Sequence, residues 1–341
     1  MGRSRQDETT RARVLDAAID AGMTSIDTAP LYDFGEVESF LGRALAGRRD
    51  RVELLSKVGL RWDDEHGEIL FSAELDGRRR TVRRDSRPAS IRRDVEESLT
   101  RLRTDVLDLC QIHQPDRRVP LGDALGELER LREEGKIRNI GVSNFEPHEL
   151  SKSLAHFASA APGSGLASLQ LHYSLLERGA ETALLPAAEA GGLGVFAYTP
   201  LEGGALSARF AEDAQWRRTR AERDPLFAPP NERPLRDAVE RHLSPAAQAL
   251  GVSPSSLALA WVLAQPRITA PIVGASSEAQ VEENAAAWEV SLSPETADAL
   301  GSAFAALTID RTPGLPLRTK LRRKLGRLRD RLGRLGHGGD R

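Results

Sequence analysis

A single cysteine, Cys110, occurs in the chain of 341 residues, and aromatic residues make up only 5% of it. One cysteine excludes an intrachain disulfide and a cysteine-rich metal site, a usage typical of a reducing compartment. No stretch approaches the roughly 20 apolar residues of a membrane span, and no apolar run follows the charged residues near the N-terminus. We therefore expect a cytoplasmic protein without a membrane span or a bound metal.

A large excess of charge of one sign is also lacking. The 48 Lys plus Arg nearly balance the 50 Asp plus Glu, for a net charge of −2. Such a balance gives no overall field that would attract nucleic acid or a membrane, so nucleic acid is not an expected partner. With 40% hydrophobic residues, the chain can bury a large core and is not disordered by composition.

Short aliphatic runs alternate with amphipathic segments along the whole chain. This alternation indicates right-handed βαβ units and a parallel sheet. The predicted strands, bounded by Gly, Pro or polar residues, are 24–28, 52–57, 105–112, 138–142, 167–172, 194–198 and 268–274. The predicted helices, which have a period of 3.6, are 8–21, 36–46, 90–103, 121–134, 147–159, 180–190, 235–250, 254–265, 277–287 and 294–306.

A parallel sheet can be open and doubly wound, or closed into a (β/α)8 barrel. No G-x-G-x-x-G follows the first predicted strand and no G-K-[ST] occurs, although open nucleotide-binding sheets often carry one of them. Asp27, Lys57 and His113 stand at the C-terminal ends of the first three strands. Because those ends converge on one face of a barrel, where active sites are built, we predict an α/β fold with a TIM-type barrel.

Four side chains at that face predict carbonyl chemistry. Lys57 ends an apolar strand and is costly to bury unless it is paired, for which Asp27 is the expected partner. A paired Lys57 is expected to lower the pKa of the Tyr32 phenol and so make it a proton donor near neutral pH. His113 can donate a hydrogen bond to a substrate oxygen. Each residue alone is more often a structural polar group, but the four together predict polarisation and protonation of a carbonyl.

Three segments resemble the signatures of the aldo-keto reductase superfamily, and the resemblance extends from residue 8 to about residue 306. The detail at 59–63 is similar to the bacterial general-stress and potassium-channel-beta-like branches. The three segments run from Ile26 to Gly42, from Ser98 to Asp116 and from Gly135 to Phe145.

The resemblance implies a barrel that binds a nicotinamide cofactor and reduces a small aldehyde or ketone, or oxidises the corresponding alcohol, by hydride transfer. It implies that Tyr32 is the general acid, that Lys57 and Asp27 tune its pKa, and that His113 orients the carbonyl. The alternative is a nicotinamide-binding barrel with little turnover that serves as a redox-responsive binding subunit. The implied cofactor contacts are Ser143, Asn144, Gln170, Tyr198, Thr199, Leu201, Gly204, Arg209, Gly274, Ser276, Gln280, Glu283 and Asn284.

Two departures from the family pattern affect the expected site. Asp33 follows the tyrosine where family members usually keep glycine, which restricts the backbone and adds charge. The adenosine segment from Ile272 to Glu289 contains no Lys or Arg, so a 2′-phosphate would be held by Ser276, Ser277 and backbone N–H groups. NADP(H) remains the favoured cofactor over NAD(H), with a small expected preference.

The chain is expected to lack the family's first strand. Only about seven residues precede the first predicted helix, and they are too few and too hydrophilic to form a buried strand. We expect an N-terminally truncated barrel of seven strands, with a gap between those ending at Asp27 and Gly274. The chain is expected to be poorly stable, prone to aggregation or weakly active unless the insert at 66–86 or another chain fills that gap. Within the insert, Asp76-Gly77 favours a hairpin near the mouth of the site, with a solvated loop as the alternative.

The predicted domains are a barrel over 1–311 and a basic amphipathic tail over 312–341. The tail holds ten Lys or Arg against Asp330 and Asp340, and its leucines recur at steps of three and four residues. A helix over 315–336 is expected to pack on the acidic surface of its own barrel. The alternatives are a solvated tail, contact with an anionic membrane or nucleic acid, and self-association.

Overall fold

The computed structural model of the chain describes residues 7–75, 78–159 and 163–311. The basic tail predicted over 312–341 lies outside the described residues, so that prediction and its boundary at 311 stay predictions. Contacts group the chain into two compact units. Among the described residues, the first unit comprises 7–200 and 262–289, and the second comprises 201–261 and 290–311.

The strands belong to the first unit. All six residues of the strand Leu107–Ile112 are buried, as expected where both faces of a parallel sheet are covered. In chain order the strands are β1 (Ser25–Asp27), β2 (Glu53–Val58), β3 (Leu60–Arg61), β4 (Glu68–Leu75), β5 (Arg78–Arg84), β6 (Leu107–Ile112), β7 (Ile137–Ser143), β8 (Leu166–His172), β9 (Gly194–Tyr198) and β10 (Ala270–Ile272).

Hydrogen bonds join seven of these strands in the order β1-β2-β6-β7-β8-β9-β10, and every neighbouring pair is parallel. This is the nearly closed barrel of an α/β protein of the (β/α)8 type, which confirms the predicted fold class. All seven predicted strands are present. Among the described residues the ladder ends at β1 and β10, the two strands between which the sequence predicts the gap.

Helix ends follow the local chemistry of their residues. The Asp7 side chain accepts a hydrogen bond from the backbone N–H of Thr10, and Glu146 and Glu149 form a capping box. The helices are α1 (Glu8–Asp20), α2 (Glu36–Ala44), α3 (Pro88–Leu102), α4 (Leu121–Glu133), α5 (Pro147–His156), α6 (Leu184–Ala190), α7 (Ala208–Glu212), α8 (Ala214–Ala221), α9 (Glu232–Ala238), α10 (Ser244–Ala249), α11 (Pro254–Leu263), α12 (Glu278–Ala285) and α13 (Pro294–Ala305).

The insert forms its own antiparallel sheet, in the order β3-β5-β4, which confirms the hairpin prediction. Its strands pair with neither β1 nor β10 in the part of the chain that the structure describes, so the insert does not fill the gap there, and the expected low stability stays a prediction. The physical reason is that β5 pairs with β3, which follows β2 directly, and this keeps the hairpin beside the end of β2.

Helical segments make up the second unit. The indole N–H of Trp261 donates to the carbonyl oxygen of Ala297 at 2.9 Å, and the Asn231 amide holds the backbone of Asp310 through two hydrogen bonds. Within the described ranges no single helix is both long and apolar enough to cross a membrane. The segments 232–249 and 254–263 meet that test only as a pair bent by 84°.

Candidate active site

Lys57 joins Asp27 to Tyr32 at the C-terminal end of β1 and β2. Its ammonium nitrogen Nζ lies 2.7 Å from both carboxylate oxygens of Asp27, 3.0 Å from the carbonyl oxygen of Thr28 and 3.3 Å from the phenolic oxygen of Tyr32. The Lys57 side chain is 1% exposed. Because a buried ammonium requires a partner, the predicted Lys57–Asp27 pair is confirmed by the geometry.

The phenol of Tyr32 stays protonated near neutral pH. Burial raises its pKa above the ordinary value of 10.0, and the Lys57 cation lowers it only in part. The expectation of a lowered pKa is therefore wrong, because withdrawal of the phenolate from water outweighs its attraction to Lys57. For Lys57 burial lowers the pKa, but Asp27 and Tyr32 more than reverse this and the net shift is upward.

The imidazole of His113 stands next to the phenol. The rings of Tyr32 and His113 meet edge to face, with centroids 6.1 Å apart. Burial, helped by the charge of Lys57, lowers the pKa of His113 to about 3. A neutral imidazole carries one N–H donor, as the predicted hydrogen bond to a substrate oxygen requires. The structure thus brings Asp27, Tyr32, Lys57 and His113 together.

The ends of β7 and β9 are tied together beside His113. Asn144 donates through its amide to the carbonyl oxygen of His113 at 2.9 Å and to the Ser143 hydroxyl at 3.0 Å. The Tyr198 hydroxyl donates to the Asn144 side-chain oxygen at 2.7 Å. His172 stacks on Tyr198 with ring centroids 5.3 Å apart and planes at 13°. These polar groups of the predicted carboxamide and nicotinamide sites therefore share the face that carries Tyr32.

A buried chain of amides that sequence reasoning missed supports Asp27 from inside the barrel. Gln170 donates to Asp27 Oδ1 at 2.9 Å and to the Gln111 side-chain oxygen at 3.1 Å. Gln111 in turn lies 3.3 Å from the Ser168 hydroxyl. A signal was present in the sequence, since Gln111 is a polar residue between the apolar Cys110 and Ile112 of a predicted buried strand.

Several non-glycine residues near these strand ends have left-handed backbones. Asn144 follows β7 with φ of 60° and Thr199 follows β9 with φ of 56°. Asp33 and Phe34 follow Tyr32 with φ of 47° and 54°. Such conformations are costly and concentrate where a site must hold side chains in fixed positions. Asp33 thus adopts the backbone for which glycine would be the unstrained choice.

The predicted adenosine residues surround the start of α12. The backbone N–H and the hydroxyl of Ser276 donate to the Gln280 side-chain oxygen at 2.7 and 2.9 Å, and Ser277 caps the helix. A β-carbon built at Gly274 would meet nothing within 4 Å, so open space adjoins this segment. Asn284 is buried on α12, and Glu283 lies on the same helix.

Arg13 of α1 is a cation near this segment that sequence reasoning missed. Its guanidinium lies 3.6 Å from the carboxylate of Glu278 in the first turn of α12. Nothing in the local pattern of either helix indicated the pair, because the two residues are far apart in the sequence. The remaining predicted contacts, Leu201, Gly204 and Arg209, belong to the second unit, where Arg209 lies over Trp216 with its guanidinium carbon 5.0 Å from the ring centroid.

Phe34, in the loop that carries Tyr32, packs against Trp62, which follows β3. Their rings meet edge to face with centroids 5.2 Å apart. Both pack against a buried apolar cluster that consists of Leu31, Leu60 and Val82. The cluster fastens the β4–β5 hairpin to the residues around Tyr32, so the insert contributes to the surroundings of the site. Sequence reasoning placed the insert near the mouth of the site but did not identify this aromatic pair.

Comparisons with known proteins agree with this geometry. The family model for the Aldo/keto reductase family matches residues 1–304, and the chain belongs to this family. It is 36% identical to the uncharacterized oxidoreductase YrpG of Bacillus subtilis, over 87% of this chain and 88% of that protein. It is 33% identical to the NADH-specific methylglyoxal reductase of Escherichia coli, over 80% of each chain.

A solved structure extends the likeness to three dimensions. The glycerol dehydrogenase AKR11B4 from Gluconobacter oxydans superposes with a TM-score of 0.76 at 35% sequence identity, over 91% of this chain and 88% of that one. Members of the family are oxidoreductases that use nicotinamide cofactors. The resemblance noted in the sequence is therefore confirmed.

Proposed function

We propose that the protein reduces small aldehydes or ketones with a nicotinamide cofactor, or oxidises the corresponding alcohols, and that Tyr32 is the general acid. One observation carries the proposal: Lys57 Nζ contacts both Asp27 and the phenolic oxygen of Tyr32, beside a neutral His113. Because Lys57 donates to that oxygen, the phenolic O–H is left to donate to a substrate.

The residues at this face fit a nicotinamide cofactor. Ser143, Asn144 and Gln170 carry amide and hydroxyl groups suited to a carboxamide, which would exchange for some of the hydrogen bonds that these side chains make within the protein. Tyr198 carries a flat ring, one side of which stacks on His172. When bound, such a cofactor supplies or accepts the hydride. The side chains of this protein then have to orient the substrate and handle the proton.

His113 orients the substrate by donating a hydrogen bond to the carbonyl oxygen, which polarises the C=O bond. As the carbonyl carbon is reduced, negative charge develops on that oxygen, and Tyr32 donates its proton there. An alkoxide is a much stronger base than a phenolate, so the transfer is favourable even from a phenol with a raised pKa. Lys57 then stabilises the phenolate, and Asp27 holds Lys57 in place.

We further propose that the cofactor is NADP(H), with only a small preference over NAD(H). The family resemblance favours NADP(H). The segment between Ile272 and Glu289 contains no Lys or Arg, which argues against a strong preference for NADP(H). Arg13 lies near this segment but is paired with Glu278. The similar reductase of Escherichia coli is NADH-specific by name, so binding and turnover should be measured with NADH as well as with NADPH.

Turnover of the purified chain tests the proposal. Oxidation of NADPH and of NADH should depend on added methylglyoxal or benzaldehyde, and quenching of cofactor fluorescence should report binding separately. Reduction that saturates with the aldehyde is the expected result. Tight cofactor binding with no turnover on any aldehyde, ketone or alcohol would instead favour a redox-responsive binding subunit.

A further inference from the structure

The side of β5 that faces the barrel carries two arginines. Val82 is fully buried in the cluster with Leu31 and Leu60. Because alternate residues of a strand share one face, Arg80 and Arg84 flank Val82 on that same side. The guanidinium groups of Arg80 and Arg84 are thus on the same side of β5 as Val82. The packing of Val82 with Leu31 and Leu60 holds that strand in place.

Arg80 contacts the loop that carries the proposed proton donor. Its guanidinium carbon lies 4.7 Å from the centroid of the Phe34 ring, and Phe34 follows Tyr32 by two residues. The Trp62 ring also contacts the Phe34 ring, edge to face, with ring centroids 5.2 Å apart. A guanidinium over an aromatic face is attracted to the ring and keeps its N–H donors free at its edges.

Arg84 contacts the loop that carries His113. Its Nε donates to the side-chain oxygen of Gln114, the residue after His113, at 3.2 Å. The two arginines therefore touch the two loops whose Tyr32 and His113 rings meet at 6.1 Å. Each of the two loops that carry Tyr32 and His113 is thus contacted by one cation of β5.

The two cations differ in how they are neutralised. Arg84 forms an ion pair with Glu68 at 3.1 Å. Arg80 is partly buried and pairs with no carboxylate of the residues that the structure describes, including Asp33 in the neighbouring loop. A partly desolvated guanidinium that lies over an aromatic ring and has no carboxylate partner among the described residues is suited to bind an oxyanion through charge-assisted hydrogen bonds.

We propose that Arg80 binds an anionic group of the substrate, so that the preferred substrates are small carbonyl compounds bearing a carboxylate or a phosphate. This inference rests on the proposed function. Binding the anion at Arg80 directs the carbonyl toward Tyr32 and His113, because Phe34 fixes the guanidinium next to the Tyr32 loop. Arg80 is in this view a specificity-determining residue.

Paired substrates and matched variants test the inference. The pairs are para-carboxybenzaldehyde with its neutral isostere para-nitrobenzaldehyde, and glycolaldehyde phosphate with glycolaldehyde, which separates carboxylate from phosphate recognition. Arg80→Gln removes the proposed contact. Arg79→Gln is the control, because it removes the same charge from the exposed, opposite face of β5. Arg80→Lys keeps the charge but not the planar fork.

Loss of one charge-assisted contact predicts that Arg80→Gln lowers kcat/KM for at least one anionic aldehyde about tenfold, mainly through KM. Neutral aldehydes should change less than about twofold, and Arg79→Gln should leave the anionic-to-neutral ratio unchanged. Arg80→Lys should restore part of the loss. Equal losses on charged and neutral aldehydes, or equal effects of Arg79→Gln and Arg80→Gln, would overturn the inference.

A binding measurement separates failure of this inference from failure of the proposed function. If the wild-type chain reduces none of the four aldehydes, the proposed function fails. Calorimetric titration with para-carboxybenzaldehyde then still tests Arg80. Weaker binding in Arg80→Gln but not in Arg79→Gln supports the anion site, and unchanged binding in both variants rejects it.

Discussion

Lys57 donates a hydrogen bond to the phenolic oxygen of Tyr32 at 3.3 Å while both oxygens of Asp27 hold the same ammonium at 2.7 Å. The phenolic oxygen thus accepts a hydrogen bond from Lys57, and its own O–H remains available to donate to another acceptor. Burial keeps that proton in place at neutral pH, and the cation is positioned to stabilise the phenolate that forms when the proton leaves.

Tyr32→Phe should lower kcat for aldehyde reduction by about 10² to 10⁴, because it removes the proton donor and leaves the ring. Cofactor affinity should change little, since the phenol acts only as charge develops on the substrate oxygen. Steady-state kinetics and fluorescence titration on the same preparation check both. Undiminished turnover would remove Tyr32 as the acid.

Lys57→Met should lower the free energy of unfolding by about 3–5 kcal/mol, because Asp27 would remain buried without its partner. The double variant Lys57→Met with Asp27→Asn removes both charges and should recover part of that loss, while activity stays low. Urea denaturation and aldehyde turnover provide the two measurements. Full activity in the double variant would contradict the role of the ion pair in stabilising the phenolate.

The pH profile of kcat/KM should be flat from about pH 5 to about pH 9. Burial lowers the pKa of His113 to about 3, so the imidazole is already neutral at pH 5 and does not change as the pH rises. Tyr32 has a raised pKa and therefore remains protonated through the same range. A step near pH 6.5, or an NMR titration of the His113 ring there, would show that His113 titrates freely.

The dissociation constants of NADPH and NADH should differ by less than about tenfold, because the segment around α12 supplies no cation of its own. Arg13→Gln should weaken NADPH binding and leave NADH binding unchanged. Arg51→Gln is a matched control, since Arg51 is also exposed and ion-paired, with Asp20 at the end of α1. A strong NADPH preference that survives Arg13→Gln would place the phosphate-binding cation elsewhere, with Arg209 and residues 217–223 as the next candidates.

Two glycines within helices should respond to alanine in opposite directions. A β-carbon at Gly42 of α2 would overlap the carbonyl oxygen of Arg101 and lie 2.8 Å from the carbonyl carbon of Leu102, so Gly42→Ala should destabilise the fold by about 1–3 kcal/mol. Gly126 of α4 has nothing within 4 Å, so Gly126→Ala should stabilise it by about 0.5–1 kcal/mol. Thermal and urea denaturation measure both changes, and equal effects would contradict the close approach of α2 and α3.

Local sequence was sufficient for the strands of the barrel and for most helices. Strands buried on both faces are largely apolar, and β6, with all six residues buried, is apolar except for Asp108 and Gln111. The short helices α7 and α8 were missed, because their arginine-rich sequence shows no clear apolar stripe. The helix predicted over 235–250 is interrupted by the π-helical turn Val239–Leu243, next to Pro245, which has no N–H to continue the ladder.

The sequence by itself determined which side chains stand at the strand ends, because residue type and spacing are local properties: Asp27, Tyr32, Lys57 and His113 could be identified together. Only the tertiary structure decided the direction of the Tyr32 pKa shift, since desolvation depends on everything packed around the phenol. The Gln170–Gln111 chain behind Asp27 and the placement of Arg80 over Phe34 likewise required the fold. Those contacts join residues on separate strands and loops, and no local pattern specifies which of them meet.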